Sequence, residues 1–296
     1  MQRYLVFLIF FILAGSYSCI QKKSAETMVE TSTPEIDMDK LIAWCIVPFD
    51  IKERTPQQRI EMLKELGFKS YAYDWRTKHL PEMSQEWILA KDNGINVCAV
   101  WMWIGTNTDH PGQLSESNEI LLKTIKETGL KTQIWVGVQE SYFENVEENI
   151  AIEKATEMVR YLCQRVEEVG GELALYNHGG WFGEPENQVK VIENLKEYKI
   201  GIIYNFHYGH DHINRFPEVL SIMKPYLYTV NLNGMKKEGP MILPFGEGDY
   251  EKQMLKTLID SGYDGPLGIV GLVEDADVKV ILKQNLKGYS EIIQGF

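Results

Sequence analysis

The sequence predicts a (β/α)8 barrel, and three observations carry that expectation. Short apolar runs alternate with amphipathic helical segments throughout the chain after residue 38. No two runs are joined by a tight hairpin turn, so the strands are expected to be parallel. Eight strand–helix units fit into about 255 residues, the size of a closed barrel. A doubly wound open sheet is the alternative that the same alternation allows.

The elements follow in order. A strand is expected over residues 41–47. Thr55 starts a helix with Pro56 at its first position; Arg59, Ile60, Leu63 and Leu66 form its inner stripe and Gly67 ends it. The second strand, 70–73, runs into Asp74-Trp75-Arg76, and a helix over 84–92 stops before Gly94. The third strand spans 96–103, and the helix 115–128 is stopped by Gly129. The fourth strand spans 132–138, and a long helix from about 146 to 169 ends at Gly170-Gly171. Later strands start near Glu172, Gly201, Tyr226 and Gly265, with helices near 185–197, 212–223, 250–261 and 277–293. No internal boundary is visible, so residues 39–296 are expected to form one domain.

The first nineteen residues are of a different kind. Arg3 is a short positive start, and residues 4–14 are a nearly unbroken apolar run, too short to span a bilayer. Cys19 follows Ala14-Gly15-Ser16-Tyr17-Ser18, a relaxed bacterial lipobox. The expectation is an export signal over 1–19 with Cys19 as the lipidated residue, and hence a protein of the cell envelope or periplasm. Ordinary signal cleavage nearby is the alternative. Residues 20–38, rich in Ser, Thr, Glu and Lys, suit a flexible tether.

The net charge of −12 argues against nucleic acid as a partner. Cys45, Cys98 and Cys163 make no disulfide framework and read as free thiols. There is no Cys-x-x-Cys and no glycine-rich phosphate loop.

In a barrel of this kind the loops after the strands share one face, where sites are built. Those positions include Asp74, Arg76, Trp101, Trp103, Glu140, Asn177, Asn205, Asn231 and Asn233. Aromatic faces stack on sugar rings, while amides and carboxylates bond hydroxyl groups, so the mouth suits a polyhydroxylated ligand. Trp101 and Trp103 have two readings, as sugar platforms or as barrel filling. His178, His207 and His210 gather at adjacent strand ends, where imidazole serves as metal ligand or as acid and base. Asp211 reads as a helix N-cap and His212 as a surface residue. Trp181, between Gly180 and Gly183, reads as part of a shaped loop over the site. Glu184 is either functional or the start of the next helix. Glu247 and Asp249 lie in a long loop after the seventh strand, where either a ligand contact or helix capping is open.

Four segments carry a family likeness. They are Tyr176-Asn177-His178-Gly179-Gly180-Trp181-Phe182-Gly183-Glu184-Pro185, Asn205-Phe206-His207-Tyr208-Gly209-His210-Asp211, Asn231-Leu232-Asn233-Gly234-Met235 and Gly262-Tyr263-Asp264-Gly265-Pro266-Leu267-Gly268-Ile269. Over about residues 40–293 the chain resembles the xylose isomerase-like TIM barrels, the superfamily of sugar epimerases and endonuclease IV-type (AP endonuclease family 2) enzymes. It looks like an exported branch described as sugar phosphate isomerase/epimerase, some relatives of which act on 3-keto-glycosides. The resemblance implies one divalent metal held by Glu, Asp, His and Glu at the ends of strands five to eight. Here Tyr176 stands at the first position and Asn231 at the third, and no carboxylate lies near Val270-Gly271-Leu272. His207-Tyr208-Gly209-His210 keeps the Asp-x-x-His spacing with His in place of Asp.

Two expectations follow for the centre. A metal rests on His178 and His207 with Asn231 or a loop carboxylate such as Glu247, or the site works without one, with His207, His210 or Glu140 moving the proton. Trp103, Asp74, Arg76, Asn177, Trp181, Asn205, Asn231 and Asn233 are then the substrate-binding residues. The expected partner is a small carbohydrate, with contact to a membrane only through the anchor. The expected activity is proton abstraction next to a carbonyl: sugar isomerisation or epimerisation, or a 3-keto-glycoside lyase or hydratase. A carbohydrate-binding barrel without catalysis is the alternative. Phosphosugars fit less well, because Arg76 is the main cation at the mouth. Nuclease activity is disfavoured by the acidic charge and the absent ligands.

Overall fold

The computed structural model describes residues 37–296. The export segment expected over 1–19, its Cys19, and nearly all of the tether lie outside the described residues. Within them the elements are β1 (Leu41–Trp44), α1 (Pro56–Glu65), β2 (Ser70–Tyr73), α2 (Leu80–Asp92), β3 (Asn96–Ile104), α3 (Glu116–Thr128), β4 (Gln133–Val138) and α4 (Glu148–Glu167). They continue as β5 (Glu172–Tyr176), α5 (Gly180–Gly183), α6 (Pro185–Glu193), β6 (Ile200–Asn205), α7 (Phe216–Met223), β7 (Leu227–Leu232), α8 (Glu251–Asp260), β8 (Leu267–Val270) and α9 (Val278–Gln294). All eight strands pair in parallel in the order β1 to β8, and β8 closes on β1. The chain is a closed (β/α)8 barrel, and the open sheet is ruled out.

Local signals set most boundaries. Thr55 caps α1 in a capping box with Gln58, and Pro56 occupies the first position. Gly129 takes φ 64° and ends α3 in the left-handed conformation. β1 is shorter than the expected 41–47, because Cys45 turns to φ 57° and leaves the strand. The helix expected from residue 212 begins at Phe216, since His210–Arg215 forms a 3-10 turn first. Asp211 therefore caps nothing, and His212 is buried rather than on the surface.

The barrel is filled by aromatics rather than by aliphatic layers. Trp44, Trp101, Trp135 and Tyr176 meet inside it, with ring centroids 5.0–6.1 Å apart. Gly137 on β4 makes room for one of them: a Cβ there would lie 2.3 Å from the Trp101 ring. Outside, α9 lies directly against the loop that follows β7, where a Cβ on Gly288 would sit 1.7 Å from the Phe245 carbonyl oxygen. Asn285 of α9 accepts from the Phe245 N–H and donates to the Val270 carbonyl, tying that loop to β8. The buried carboxylate of Glu251 accepts the N–H groups of Met235, Gly246 and Gly248, which shapes the rest of the same loop.

Candidate active site

A cavity of about 480 Å3 opens at the C-terminal ends of the strands. Its floor is the aromatic filling: Trp44, Trp101 and Tyr176 line it from below. Trp103 stacks on Trp101 with centroids 6.0 Å apart and meets the His178 ring edge-on at 4.7 Å. Trp101 fills the barrel and also lines the cavity with Trp103.

His207 follows β6 and lines the cavity. Its Nδ1 lies 2.9 Å from the carbonyl oxygen of Met241, in the loop after β7. A carbonyl oxygen only accepts, so Nδ1 carries the proton and Nε2 keeps its lone pair. Burial pulls the imidazole below its ordinary value, which favours the neutral ring. His178 follows β5; its Nε2 is 2.8 Å from the Tyr208 hydroxyl, and its Nδ1 is buried without a partner. Burial, reinforced by His207, lowers this imidazole to about 4.

Asp74 follows β2 and is buried. Its Oδ1 accepts the N–H groups of Ile46 and Val47, both at 3.2 Å, in the turn that Cys45 opens. Its Oδ2 has no protein partner, and the residue lines the cavity. Burial pushes the carboxyl up to about 6, against the pull of those N–H groups and of Arg76. Arg76 stands exposed at the rim, donates to the Trp75 carbonyl, and lies over the Phe49 ring at 5.2 Å.

The loop after β3 supplies a wall that sequence reasoning missed. Asp109 accepts from the Gly105 and Ser115 N–H groups, the Thr108 hydroxyl and the Asn118 amide. Burial would raise its carboxyl, but these donors outweigh it and hold the group below the usual range. Asp109 and Asn118 both line the cavity. A segment rich in Thr, Asp and Gly between a strand and a helix, on the face where all such loops meet, was the available signal. Tyr208, between two histidines already singled out, was also missed.

The other expected residues lie elsewhere. Asn177 clamps β5 to β6, exchanging bonds with the Asn205 backbone at 2.7 and 3.1 Å. Asn233 donates to the carbonyls of Gly234 and Met241 and so holds the loop that orients His207. His210 donates from Nδ1 to the His207 carbonyl and does not line the cavity. Glu140 is exposed and packs over Gly179 and Gly180. Trp181 packs on Phe143 with centroids 5.0 Å apart. Glu184 bonds buried His212 and Arg215, which places it in a structural network behind the site.

The positions where the resemblance implies a metal are bonded to one another instead. The Tyr176 hydroxyl receives the Trp44 indole N–H at 2.9 Å and the Asn205 amide N–H at 2.6 Å, which fills its two lone pairs. Asn231 Nδ2 donates to the same hydroxyl at 3.3 Å, and its Oδ1 is buried without a partner. N–H donors converge where a cation would need lone pairs. Glu247 lies outside the cavity, bonded to Gln284, so His178, His207 and Glu247 are not assembled as a ligand set. Among the described residues, no three His, Cys, Asp or Glu side chains are grouped to hold an ion. The residues present do not fit the single-cation centre of the resemblance.

Solved structures share this architecture. A 3-keto-D-glucoside 4-epimerase from E. coli is 16% identical, with a TM-score of 0.61 over 84% of this chain and 98% of its own. A D-psicose 3-epimerase, solved with D-fructose, is 13% identical, with a TM-score of 0.61 over 87% of this chain and 100% of its own. A xylose isomerase-like TIM barrel protein from Mycobacterium smegmatis, in complex with magnesium, is 14% identical, with a TM-score of 0.53 over 86% and 96%. The fold is that of the xylose isomerase-like TIM barrels. No family model and no curated protein sequence matches the chain. Sugar epimerases and a magnesium-bound protein thus occur among the structural neighbours of this barrel, while its own centre has the amide and phenol bonding described above.

Proposed function

We propose that the barrel is a carbohydrate-active enzyme of the isomerase/epimerase type, which abstracts a proton from carbon next to a ketone. One observation carries this reading. A neutral imidazole, His207, with its tautomer set by the Met241 carbonyl, shares a cavity with the Trp101–Trp103 stack. The stacked indoles suit a sugar ring, and Nε2 is the base. The epimerases among the structural neighbours support the same class. The favoured substrates are 3-keto-glycosides, with epimerisation, elimination or hydration as outcomes. In the test, the protein is incubated with 3-keto-glucosides and free ketohexoses in deuterated water, and exchange at the carbon next to the carbonyl is followed by NMR. Exchange supports the reading, and its absence with every compound overturns it.

The departure of the centre from the family's ligands favours a second reading, a carbohydrate-binding barrel without catalysis. Calorimetric binding of these sugars, with no exchange dependent on His207, would select it.

The address is proposed from the apolar run and Cys19 alone: an envelope protein held by lipid on that cysteine. Cys19→Ser is expected to move the protein from the membrane fraction to the soluble fraction and to abolish labelling by a fatty-acid probe. Membrane retention with no labelling in the parent protein would refute it.

A further inference from the structure

We propose that Asp74 is the second proton-transfer residue of this site, acting on the face of the substrate opposite His207, so that the reaction inverts a carbon next to the ketone. The inference rests on the functional reading above.

Strand order carries the geometry. Asp74 directly follows β2, and His207 follows β6 by one residue. In a closed ring ordered β1 to β8, these strands stand half the ring apart. Both residues line the one cavity, so a sugar ring bound between them presents one face to each. Asp74 is also held for the task. Oδ1 is fixed by two backbone N–H groups, while the buried Oδ2 has no partner in the protein. A buried carboxylate oxygen left unpaired is costly, and this one belongs to a residue that lines the cavity.

The step balances. His207 Nε2 takes the proton from the C–H carbon, that bond's electron pair forms a C=C bond to the carbonyl carbon, and the carbonyl π pair moves to its oxygen, giving an enolate. Arg76 at the rim supplies positive charge near it. As the carbonyl re-forms, the carbon takes the proton of the Asp74 carboxyl group on its other face. The epimer leaves behind an imidazolium and a carboxylate, which exchange protons with water to reset. The return reaction uses the same groups in opposite roles.

Both protonation states of Asp74 are within reach near neutral pH, since its carboxyl lies at about 6. The charged or titratable groups that act on it are Cys45 after β1, Arg59 of α1 and Arg76 of its own loop. An unfolded aspartate releases its proton at lower pH, so the native state binds more protons between about 4 and 6. Stability contributed by this group is therefore present at low pH and lost as pH rises through about 6. Asp74→Asn keeps the Oδ1 acceptor for Ile46 and Val47 and should retain a cooperative unfolding transition without that slope, and the transition shows that the variant is folded.

The experiment uses a 3-keto-glucoside and a free ketohexose in deuterated water at early conversion. In the unaltered protein, deuterium is expected in the epimeric product and not in recovered substrate, the mark of two bases. Asp74→Asn is expected to lose epimerisation by about 10²- to 10⁴-fold, while His207 still exchanges the substrate's own proton. Deuterium in both sugars from the first turnovers, or undiminished epimerisation by Asp74→Asn, overturns the assignment and leaves the functional reading standing. No exchange with either sugar by the unaltered protein overturns both.

Discussion

His207→Ala is expected to lower kcat on a keto-sugar by about 10²- to 10⁴-fold, the usual contribution of a positioned acid or base. KM should change little, because the indole stack of Trp101 and Trp103 that receives the sugar is untouched. The loss should be in the proton-transfer step, so exchange at the carbon next to the carbonyl falls in parallel with turnover. The pH dependence has a definite sign. His207 acts as the neutral base, and burial lowers its value from 6.5. Proton abstraction is then maintained through neutral pH and falls as pH drops below that lowered value and the ring protonates, whereas epimerisation also falls as pH rises through about 6 and Asp74 loses the proton it delivers. Steady-state rates across pH, for the parent and for His207→Ala, measure both effects. His210→Ala is the comparison: it removes a bond to the His207 carbonyl but leaves Nε2, and should cost far less. An undiminished kcat in His207→Ala would remove the residue from the mechanism.

Arg59→Ala is expected to destabilise the fold by about 3–5 kcal/mol, the cost of leaving a buried charge without its partner. Arg59 of α1 and Glu86 of α2 pair at 2.9 Å, both almost wholly buried, and the Tyr71 hydroxyl of β2 donates to the same carboxylate. Burial already pushes the Glu86 carboxyl up from its ordinary value with Arg59 beside it. Without the guanidinium it shifts further, and the native variant binds a proton that the unfolded chain releases. The variant's stability should therefore fall as pH rises, a slope the parent shows more weakly. Urea melts at acidic and alkaline pH would show both the loss and its slope. Arg59→Met with Glu86→Leu should recover most of the loss, because an apolar pair needs no desolvation of charge. A loss no larger than that of a surface substitution would show that the pair contributes nothing. Arg59 also donates to the Ile46 carbonyl at 3.4 Å, in the turn whose N–H groups hold Asp74. Stability and site geometry are coupled there.

Several features were legible because their causes are local. Thr55-Pro56, Gly129 and Gly170-Gly171 stand at helix boundaries through backbone conformation and capping, which depend on a few neighbouring residues. Period-2 and period-3.6 patterns gave the strands and helices, and parallel closure then placed every strand end on one face. That put Asp74, Arg76, Trp103, His178, Asn205 and His207 at one mouth before any contact was known. Where a distant side chain decided the outcome, sequence reasoning missed it. His212 reads as a polar surface residue until Tyr204 and Glu184 take its two ring nitrogens in the interior. Glu247 reads as a loop carboxylate near the site until Gln284 of α9 holds it elsewhere.

The sequence by itself determined the barrel, its strand ends and the residue types at its mouth, since these follow from periodicity and caps along the chain. Tertiary structure alone decided what each of those residues can do. The tautomer of His207 depends on the Met241 carbonyl, thirty-four residues away. The proton affinity of Asp74 depends on a turn after β1, and the bonding of Tyr176 on three different strands. Proton affinity and hydrogen-bond state are set by desolvation and by partners across space. Neither is written in the order of neighbouring residues.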